Sequence, residues 1–509
     1  MEQTVKMLNR PPYAIISILM VGAFIAFLNN TLLNIALNTI MIDFKVDTAT
    51  VQWLTTGFML INGIMIPTTA YLIQKYSVRN LFIVSMGLFT IGTVIGAVSP
   101  IFPVLLTARM VQASGSAIMM PLLMNVMLVS FPVEKRGSAM GVFGLILMFA
   151  PAIGPTLSGW IVEHYDWRAL FYLVAPIAFL VWVFGFFKLK DKKEKVAMKL
   201  DMISLILSSI GFGGLLYGFS SAGSVGWGNV TVYGTIIIGV IALVLFIYRQ
   251  RLLEKPMLNF GVFKYPMFSL ASAITMIVNM GMFSGFLLLP IYAQSILGFS
   301  PMSTGLMLLP GAILNAAMSP ITGRLFDKFG GRILATTGLA ITTITTYFFS
   351  HLAADTTYTE LVVLHAIRMF GMSMVFMPVS TNGLNQLPPY LYPHGTAMNN
   401  TLNQVSAAIG TALLITIMSI RQSIYASQLE KQLLPNGTDG MTKEAVDAIN
   451  AQIQGAAMLG GINDTFLVAT ILTGIALVLA FFMKRAKQSE GIGEKPSHQY
   501  AAKKMVAEK

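Results

Sequence analysis

The sequence predicts an all-α integral membrane protein with fourteen transmembrane helices, and three observations support this prediction. Of the 509 residues, 55% are hydrophobic and only 11% are charged, whereas an ordinary soluble chain has about 25% charged residues. About fourteen apolar runs have the roughly 20 residues that a helix needs to cross about 30 Å of hydrocarbon. The basic residues lie mostly in alternate loops between these runs, which is typical of polytopic membrane proteins.

The predicted spans follow one another along almost the whole chain. The opening twelve residues are too polar and too short for a signal peptide, so the first apolar run is expected to stay in the mature protein. Cysteine is absent, which excludes disulfides and thiolate metal sites. The spans are placed at residues 13–37, 51–73, 80–98, 102–130, 137–162, 168–188, 201–219, 232–248, 266–293, 303–323, 333–352, 359–383, 397–420 and 464–483.

The distribution of Lys and Arg predicts the orientation of the chain. An even number of spans puts both termini on one side, and cytoplasmic loops carry an excess of Lys and Arg. With both termini in the cytoplasm, 26 of these residues lie inside, two lie within spans, and five lie outside, namely Lys45, Arg168, Arg421, Lys431 and Lys443. We therefore expect a multi-pass protein of the cytoplasmic membrane, and its net charge of +12 reflects orientation rather than nucleic-acid binding.

Internal repetition predicts two related halves. Residues 67–79 (PTTAYLIQKYSVR) align with residues 320–332 (PITGRLFDKFGGR) at an offset of 253, and the sequence around Arg109 aligns with that around Arg368 at an offset of 259. Transporter folds are often built from such repeats. The predicted organisation is a six-helix bundle at 1–190, two inserted helices at 191–260, a second bundle at 261–484 with an outer loop at 421–463, and a basic cytoplasmic tail at 485–509.

At these motifs the chain resembles the major facilitator superfamily, specifically the fourteen-span drug:proton antiporters of the EmrB/QacA type and the lincomycin-resistance-like exporters among them. LNNTLLNIALN (28–38) is similar to the family's first-helix pattern, with Asn29 where an Asp usually stands. LLTARMVQASG fits the fourth-helix pattern through Arg109 and Gln112, and APAIGPTLSGW (150–160) is similar to the fifth-helix antiporter motif. The resemblance implies a major facilitator fold, a monomer, no cofactor, and drug export driven by the transmembrane proton gradient.

Polar residues within the spans are the candidate substrate site. Arg109 lies about seven residues into its span, where a guanidinium is costly unless it faces a cavity or a partner. Snorkelling to the surface is the alternative for Arg109, and hydrogen bonding between helices is the alternative for the amides. The predicted cavity residues are Asn29, Asn30, Asn34, Arg109, Gln112, Asn279, Asn315, Arg368, Asn399 and Asn403.

Two further motifs are candidates for conformational change. Ala150, Gly154 and Ser158 recur every four residues on one helix face, which allows close approach of a neighbouring helix. The resemblance implies that this face, completed by Pro155 and Gly159, seals or opens the pathway. Lys75, Arg79, Asp327 and Arg332 lie at helix ends and form either a charge latch or a solvated turn; in the first half Gln74 replaces the acid.

The absence of certain sequence motifs narrows the possible functions. No G-x-x-x-x-G-K-[ST] loop and no H-E-x-x-H motif is present, so neither ATP-driven pumping nor hydrolysis is indicated, and we expect a transporter rather than an enzyme. With Asn29 replacing the usual acid, the candidate proton-coupling residues are His365, Asp355, Glu360 and Asp464.

Three functions stay open. The first is export of amphipathic drugs, with small amphipathic substrates and the lipid bilayer as the partners. The second is dedicated export of an endogenous organic anion or lipid-like molecule, and the third is a receptor or scaffold that transports nothing. Since no acidic residue lies at a span centre, the cavity is expected to favour neutral, zwitterionic or anionic compounds.

Overall fold

The computed structural model describes residues 12–190, 200–434 and 442–485, and in them the chain is helical without strands. Three short 3-10 helices accompany the fifteen α-helices of this described part. These α-helices are α1 (Tyr13–Phe44), α2 (Thr48–Lys75), α3 (Val78–Ala97), α4 (Phe102–Ser130), α5 (Arg136–His164), α6 (Ala169–Lys188), α7 (Met202–Val225), α8 (Val230–Leu252), α9 (Pro266–Ser295), α10 (Pro301–Phe329), α11 (Gly331–Phe349), α12 (Tyr358–Ser373), α13 (Phe376–Leu384), α14 (Tyr392–Leu433) and α15 (Lys443–Ala480).

Every predicted span coincides with one of these helices, and the twelfth is divided into α12 and α13. Among the described residues, 12 helical segments are long and apolar enough to cross a membrane. The helices α5 and α11 are not among them. The all-α membrane fold is confirmed, and the count of fourteen spans stays a prediction. In α11 the hydroxyls of Thr342, Thr345 and Thr346 donate to carbonyl oxygens of their own helix, so these three of the threonines that lower its hydropathy are internally satisfied.

The antiparallel succession of helices gives the bundle two ends. We call the end at which α1 begins and α15 ends the termini face, and the other end the opposite face. At the termini face the Arg79 guanidinium donates to the carbonyl oxygen of Phe186 at 3.1 Å. At the opposite face Arg168 forms an ion pair of 3.1 Å with Asp43. The prediction that the termini face is cytoplasmic is not tested by these contacts.

The inserted helices α7 and α8 pack on each other, and α7 also packs on α2 of the first bundle and on α14 of the second. The Asp201 carboxylate, before α7, accepts hydrogen bonds from Arg249 Nε at 2.6 Å and Arg249 Nη2 at 2.9 Å. The hydrogen bonds from Arg249 lower the pKa of Asp201 to about 2. This clamp holds the two inserted helices together at the termini face.

The expected outer loop at 421–463 needs correction, because most of it is helical. Helix α14 has 42 residues and is therefore about 63 Å long at about 1.5 Å per residue, well beyond the thickness of the hydrocarbon. The second half of α14 pairs with the middle of α15: Arg421 forms an ion pair with Asp464, and a Cβ at Gly461 would lie 2.8 Å from the carbonyl oxygen of Met418. The basic tail beyond Arg485 lies outside the described residues.

Candidate functional site

Arg109 is completely buried inside the first bundle. Its Nη1 donates to Gln112 Oε1 at 3.0 Å and its Nη2 to Asn30 Oδ1 at 3.2 Å, while the guanidinium carbon lies 4.2 Å from the centre of the Phe58 ring. Helices α1, α2 and α4 therefore share this charge, and none of its hydrogen-bond acceptors is a carboxylate. Snorkelling is excluded as the explanation of Arg109 in this conformation.

Gln112 connects the arginine to α3 and makes a second connection to α1. Its Oε1 also accepts from Asn29 Nδ2 at 3.3 Å, and its Nε2 donates to Thr93 Oγ1 on α3 at 2.8 Å. Close contact between α3 and α4 sets this geometry, because a Cβ at Gly92 would lie 2.7 Å from the carbonyl oxygen of Ala108. The side chain of Asn34 lies outside what the structure describes.

Arg368 is the counterpart of Arg109 in the second bundle and is also completely buried. Its Nη2 donates to the Gly281 carbonyl and to Ser284 Oγ, both at 3.1 Å, and its Nε donates to Thr346 Oγ1 at 3.2 Å. A Cβ at Gly285 would lie 1.7 Å from Arg368 Nη1, so the glycine makes room for the guanidinium. Neither Arg109 nor Arg368 takes part in an ion pair of the described residues.

His365 lies one helical turn from Arg368 and is 2% exposed. Its Nδ1 has no hydrogen-bond partner among the residues that the structure describes. The ring packs on α10, where a Cβ at Gly311 would lie 2.5 Å from His365 Cδ2. The geometry leaves its predicted proton-coupling role untested.

Three other proton-coupling candidates lie near the opposite face. Asp355 and Glu360 are exposed, in the turn before α12 and in its first turn. Asp464 is held by the ion pair with Arg421 and accepts from Tyr425 Oη at 3.0 Å. The predicted role of these three residues in proton coupling stays a prediction.

The remaining amides form bonds within the second bundle. Asn279 Nδ2 on α9 donates to Asn403 Oδ1 on α14 at 2.9 Å. We call these two residues the amide pair. Asn399 Nδ2 donates to Ser380 Oγ at 3.0 Å, and Asn315 Nδ2 lies 3.7 Å from Met369 Sδ. Asn279, Asn315 and Asn399 are buried, whereas Asn403 is partly exposed, so Asn403 is the more accessible of these amides.

The two bundles meet at the termini face, mainly where α5 packs on α10. The Asp327 carboxylate on α10 accepts from the backbone N–H groups of Gly137 and Ser138 at 2.7 and 2.8 Å, and from Ser138 Oγ at 2.5 Å. A carboxylate at a helix N-terminus satisfies free N–H groups and interacts favourably with the helix dipole. Asp327 therefore caps α5 across the boundary between the bundles.

The charge latch expected from Lys75, Arg79, Asp327 and Arg332 takes a different form. Asp327 forms no ion pair among the described side chains, and its partner is the start of α5. Lys75 Nζ donates to Tyr71 Oη at 2.7 Å within α2, while Arg79 binds α6. We call the contact of Asp327 with Gly137 and Ser138 the α5 cap. The spacing of charged residues in the sequence could not reveal this contact, because its donors include backbone N–H groups, which almost every residue has.

The equivalent position of the first bundle, Gln74, faces the start of α14. Its side chain lies 3.2 Å from His394 Nε2, and His394 Nδ1 accepts from the backbone N–H of Asn259 at 3.1 Å. Sequence reasoning missed His394 because a polar residue near a span end costs little and does not stand out. The repeat alignment offered the signal, since it pairs Gln74 with Asp327.

The predicted fifth-helix motif faces α1 within the first bundle. Thr31 Oγ1 contacts the Ala150 carbonyl at 3.4 Å, a Cβ at Gly154 would lie 2.2 Å from Thr31 Oγ1, and Ser158 Oγ donates to the Leu32 carbonyl at 2.6 Å. Nothing lies within 4 Å of a Cβ at Gly159. The side chain of Pro155 is outside the described part.

A second glycine face on α5, which sequence reasoning missed, closes the boundary between the bundles. A Cβ at Gly141 would lie 2.6 Å from the Ser319 carbonyl oxygen, and one at Gly144 would lie 2.2 Å from Ser319 Oγ. These positions lie in the first third of α5, toward the termini face. The structure therefore shows a state in which the termini face is closed, and Arg109 and Arg368 are shielded from water.

Comparisons with known proteins give the family context. The family model of the Major Facilitator Superfamily matches residues 19–411. The chain is 45% identical over 500 residues to the uncharacterized MFS-type transporter YhcA of Bacillus subtilis (strain 168), with 94% of each chain covered. It is 45% identical over 474 residues to the lincomycin resistance protein LmrB of the same organism, covering 93% of this chain and 95% of that one.

A solved structure shares the fold. The crystal structure of the human organic anion transporter MFSD10 (TETRAN) aligns with a TM-score of 0.60, covering 91% of this chain and 100% of that one. Sequence identity is 12%, so this likeness concerns the fold alone.

Proposed function

We propose an export function for this chain, which belongs to the Major Facilitator Superfamily and is therefore a membrane transporter rather than an enzyme. It exports neutral, zwitterionic or anionic amphipathic compounds by alternating access. The similarity to a lincomycin resistance protein over nearly the whole chain supports drug export. The proposal includes a cytoplasmic membrane location with both termini inside, a monomer, and exchange against protons without any cofactor.

One observation carries the preference for uncharged and anionic compounds. Arg109 and Arg368 occupy equivalent positions of the two bundles, and each is fully buried with neutral hydrogen-bond partners. A buried charge without a counter-charge favours a nearby anion or dipole and disfavours a cation. When the termini face opens, the polar clusters around these residues offer guanidinium and amide donors to a polar group of the substrate.

The same arginine pair supports a second candidate, the dedicated export of an endogenous organic anion or lipid-like molecule. A broad exporter and a dedicated one differ in the range of compounds they accept rather than in the charge of the site. The amide pair, of which Asn403 is partly exposed, offers both donors and acceptors and favours the broad exporter because it can bind uncharged groups.

Transport into inverted membrane vesicles tests the function. The vesicles carry an imposed pH gradient, acid inside, and lincomycin serves as the first compound, with an organic anion and a lipophilic dication for comparison. We expect lincomycin uptake that requires the gradient and partly dissipates it. Transport of the dication in preference to the others would contradict the charge argument, and uptake unaffected by collapsing the gradient would contradict proton exchange.

A further inference from the structure

An apolar cavity lies where three parts of the chain meet. Its volume is about 110 Å³, and it is enclosed by α2 of the first bundle, the inserted helix α7, and α9 and α14 of the second bundle. None of the lining side chains is charged. They are Thr56, Met59, Leu60, Leu216, Ser220, Phe283, Gln404, Ala407, Ala408 and Thr411.

The cavity is adjacent to the amide pair. Residues four apart on a helix share a face, so Phe283 lies one turn from Asn279 on α9, and Ala407 lies one turn from Asn403 on α14. Phe283 and Ala407 line the cavity. Asn279 and Asn403 bond to each other at 2.9 Å. Gln404, the neighbour of Asn403, lines it as well. Hydrogen-bonding groups and an apolar space therefore stand side by side, as an amphipathic molecule requires.

The inserted helix α7 completes the cavity wall. Leu216 is buried against α2, where a Cβ at Gly63 would lie 2.0 Å from Leu216 Cδ1. The rings of Trp53 and Tyr217 stack next to it with centroids 5.7 Å apart. At the opposite face Trp227 Nε1 donates to Thr416 Oγ1 on α14 at 2.6 Å. These contacts fix α7 across the seam between α2 and α14.

We propose that this cavity is the apolar subsite of the transported molecule, and that Leu216 of the inserted helix limits the size of the group it accepts. The inference rests on the proposed function. The ligand class is an amphiphile whose uncharged alkyl or aryl group enters the cavity while its polar part bonds to the amide pair. Since an apolar cavity of about 150 Å³ holds benzene, this smaller one accommodates a short alkyl group.

A homologous series of alkyl 4-hydroxybenzoates, from methyl to heptyl, tests the subsite. The measurement is the affinity of each ester for the purified full-length protein, obtained from its thermal stabilisation. Because burying one methylene contributes about 0.8 kcal/mol, affinity should rise about fourfold per carbon until the cavity is full and then level off or fall. Wild-type protein that binds no ester of the series, or that shows no limiting length, would overturn the proposal.

Variants of α7 locate the size limit. Leu216→Ala enlarges the cavity and should move the limiting chain length upward by at least one carbon. Leu215→Ala is the matched control, because Leu215 is the adjacent leucine on the same helix and is not among the cavity-lining residues. An unchanged limit in Leu216→Ala, or an equal change in both variants, would overturn the assignment.

Two further outcomes separate this inference from neighbouring ones. If Leu216→Ala altered stabilisation by added phospholipid but not by the esters, the cavity would be a lipid site and the proposal would fail. If the chain-length limit moved as expected while vesicles transported none of the esters, the subsite would stand and the proposed transport function would fail.

Discussion

At the scale of single residues, the site is organised by two buried guanidinium groups. A charge within a membrane helix costs about 2.5 to 3.5 kcal/mol on insertion scales, and here the hydrogen bonds to Asn30, Gln112 and the Gly281 carbonyl offset that cost. Arg109 also faces the Phe58 ring, whose π surface attracts cations. The positive charge is thus retained without being neutralised, which is a useful property for binding dipoles and anions.

Arg109→Ala should lower transport at least tenfold, because the variant loses the charge, removes the donor to Asn30 Oδ1 and leaves Gln112 Oε1 with Asn29 as its remaining donor. The measurement is vesicle uptake normalised to the amount of inserted protein. Arg109→Lys is the control: it keeps the charge but cannot donate to Asn30 and Gln112 with the geometry of a guanidinium, so we expect intermediate activity. Normal transport by Arg109→Ala would remove this residue from the site.

Asn29→Asp should extend the substrate range toward cations. Asn29 is 4% exposed and its Nδ2 bonds to the same Gln112 oxygen that Arg109 binds, so a carboxylate at this position would partly neutralise the arginine. Resistance profiles against neutral, anionic and dicationic compounds provide the measurement. An unchanged profile would indicate that position 29 does not influence the charge of the cavity.

The sequence predicted part of this residue network. Arg109, Gln112 and Asn30 stand out because polar side chains in an apolar span demand partners. Thr93 and Phe58 could not be found in this way, since threonine and phenylalanine are ordinary residues of membrane helices. Asn29 and Gln112 are buried here and do not line a water-filled cavity. Their burial depends on the conformational state of the protein, and the sequence alone does not specify that state.

At the scale of helices, glycine positions determine which surfaces meet. The sequence indicated one small-residue face of α5, that of Ala150, Gly154 and Ser158, and the structure places it against α1. The face that meets the second bundle, at Gly141 and Gly144, is equally small, but spacing alone cannot tell which neighbour each face contacts. Tertiary packing decides that.

Gly141→Ala should weaken closure of the termini face. The added methyl would lie 2.6 Å from the backbone carbonyl oxygen of Ser319, and backbone cannot move aside as a flexible side chain can. Because the chain has no cysteine, a single Met124→Cys reporter can be labelled with a maleimide; Met124 is 3% exposed and faces Asn400 of the other bundle. We expect faster labelling and lower transport in Gly141→Ala.

Gly159→Ala is the matched control for this helix. Nothing lies within 4 Å of a Cβ at Gly159, so the variant should label and transport like the parent, and alanine should slightly favour the helix. Equal labelling rates in the two alanine variants would contradict a closing role for the Gly141 contact.

The clamp between the inserted helices should be independent of pH in the physiological range. The pKa of Asp201 is lowered to about 2 by its hydrogen bonds with Arg249, against about 3.9 in an unfolded chain. A carboxylate whose pKa is lower in the folded protein than in the unfolded chain stabilises the fold at pH values above its unfolded pKa. This stabilisation is lost as the pH falls toward its folded pKa. Asp201→Asn should therefore lower the thermal midpoint by the same amount at about pH 6 and about pH 8. A deficit that differs between these conditions would contradict the assignment.

At the scale of the whole molecule, two related bundles meet at the termini face through non-equivalent contacts. In one, the Asp327 carboxylate caps α5; in the other, the neutral Gln74 faces His394 at the start of α14. The repeat alignment paired Gln74 with Asp327 and showed that the first-half position lacks the acid, and a glutamine cannot supply a charge to a helix N-terminus. It could not predict that both contacts cross between the bundles, because that depends on how the bundles are docked.

The α5 cap should control the balance between closed and open states. Asp327→Asn keeps the size of the side chain but removes the charge that interacts with the start of α5, and only one of its two polar atoms can still accept. Hydrogen bonds to charged groups contribute about 1.5 to 3 kcal/mol, so losing the charge at this boundary should increase the open population about tenfold. The Met124→Cys reporter should then be labelled correspondingly faster.

Glu134→Gln is the charge-matched control for the cap. Glu134 lines the same termini-face cavity as Asp327 but is exposed and forms no ion pair of the described residues, so its neutralisation changes the net charge of this face without removing the hydrogen bonds that Asp327 accepts from the start of α5. We expect labelling and transport like the parent. If both variants accelerated labelling equally, a general change of surface charge would explain the result and the cap would have no specific part in closing the molecule. If Asp327→Asn alone opens it, one carboxylate on one bundle holds the first turn of a helix on the other, and breaking that contact is a required step of each transport cycle.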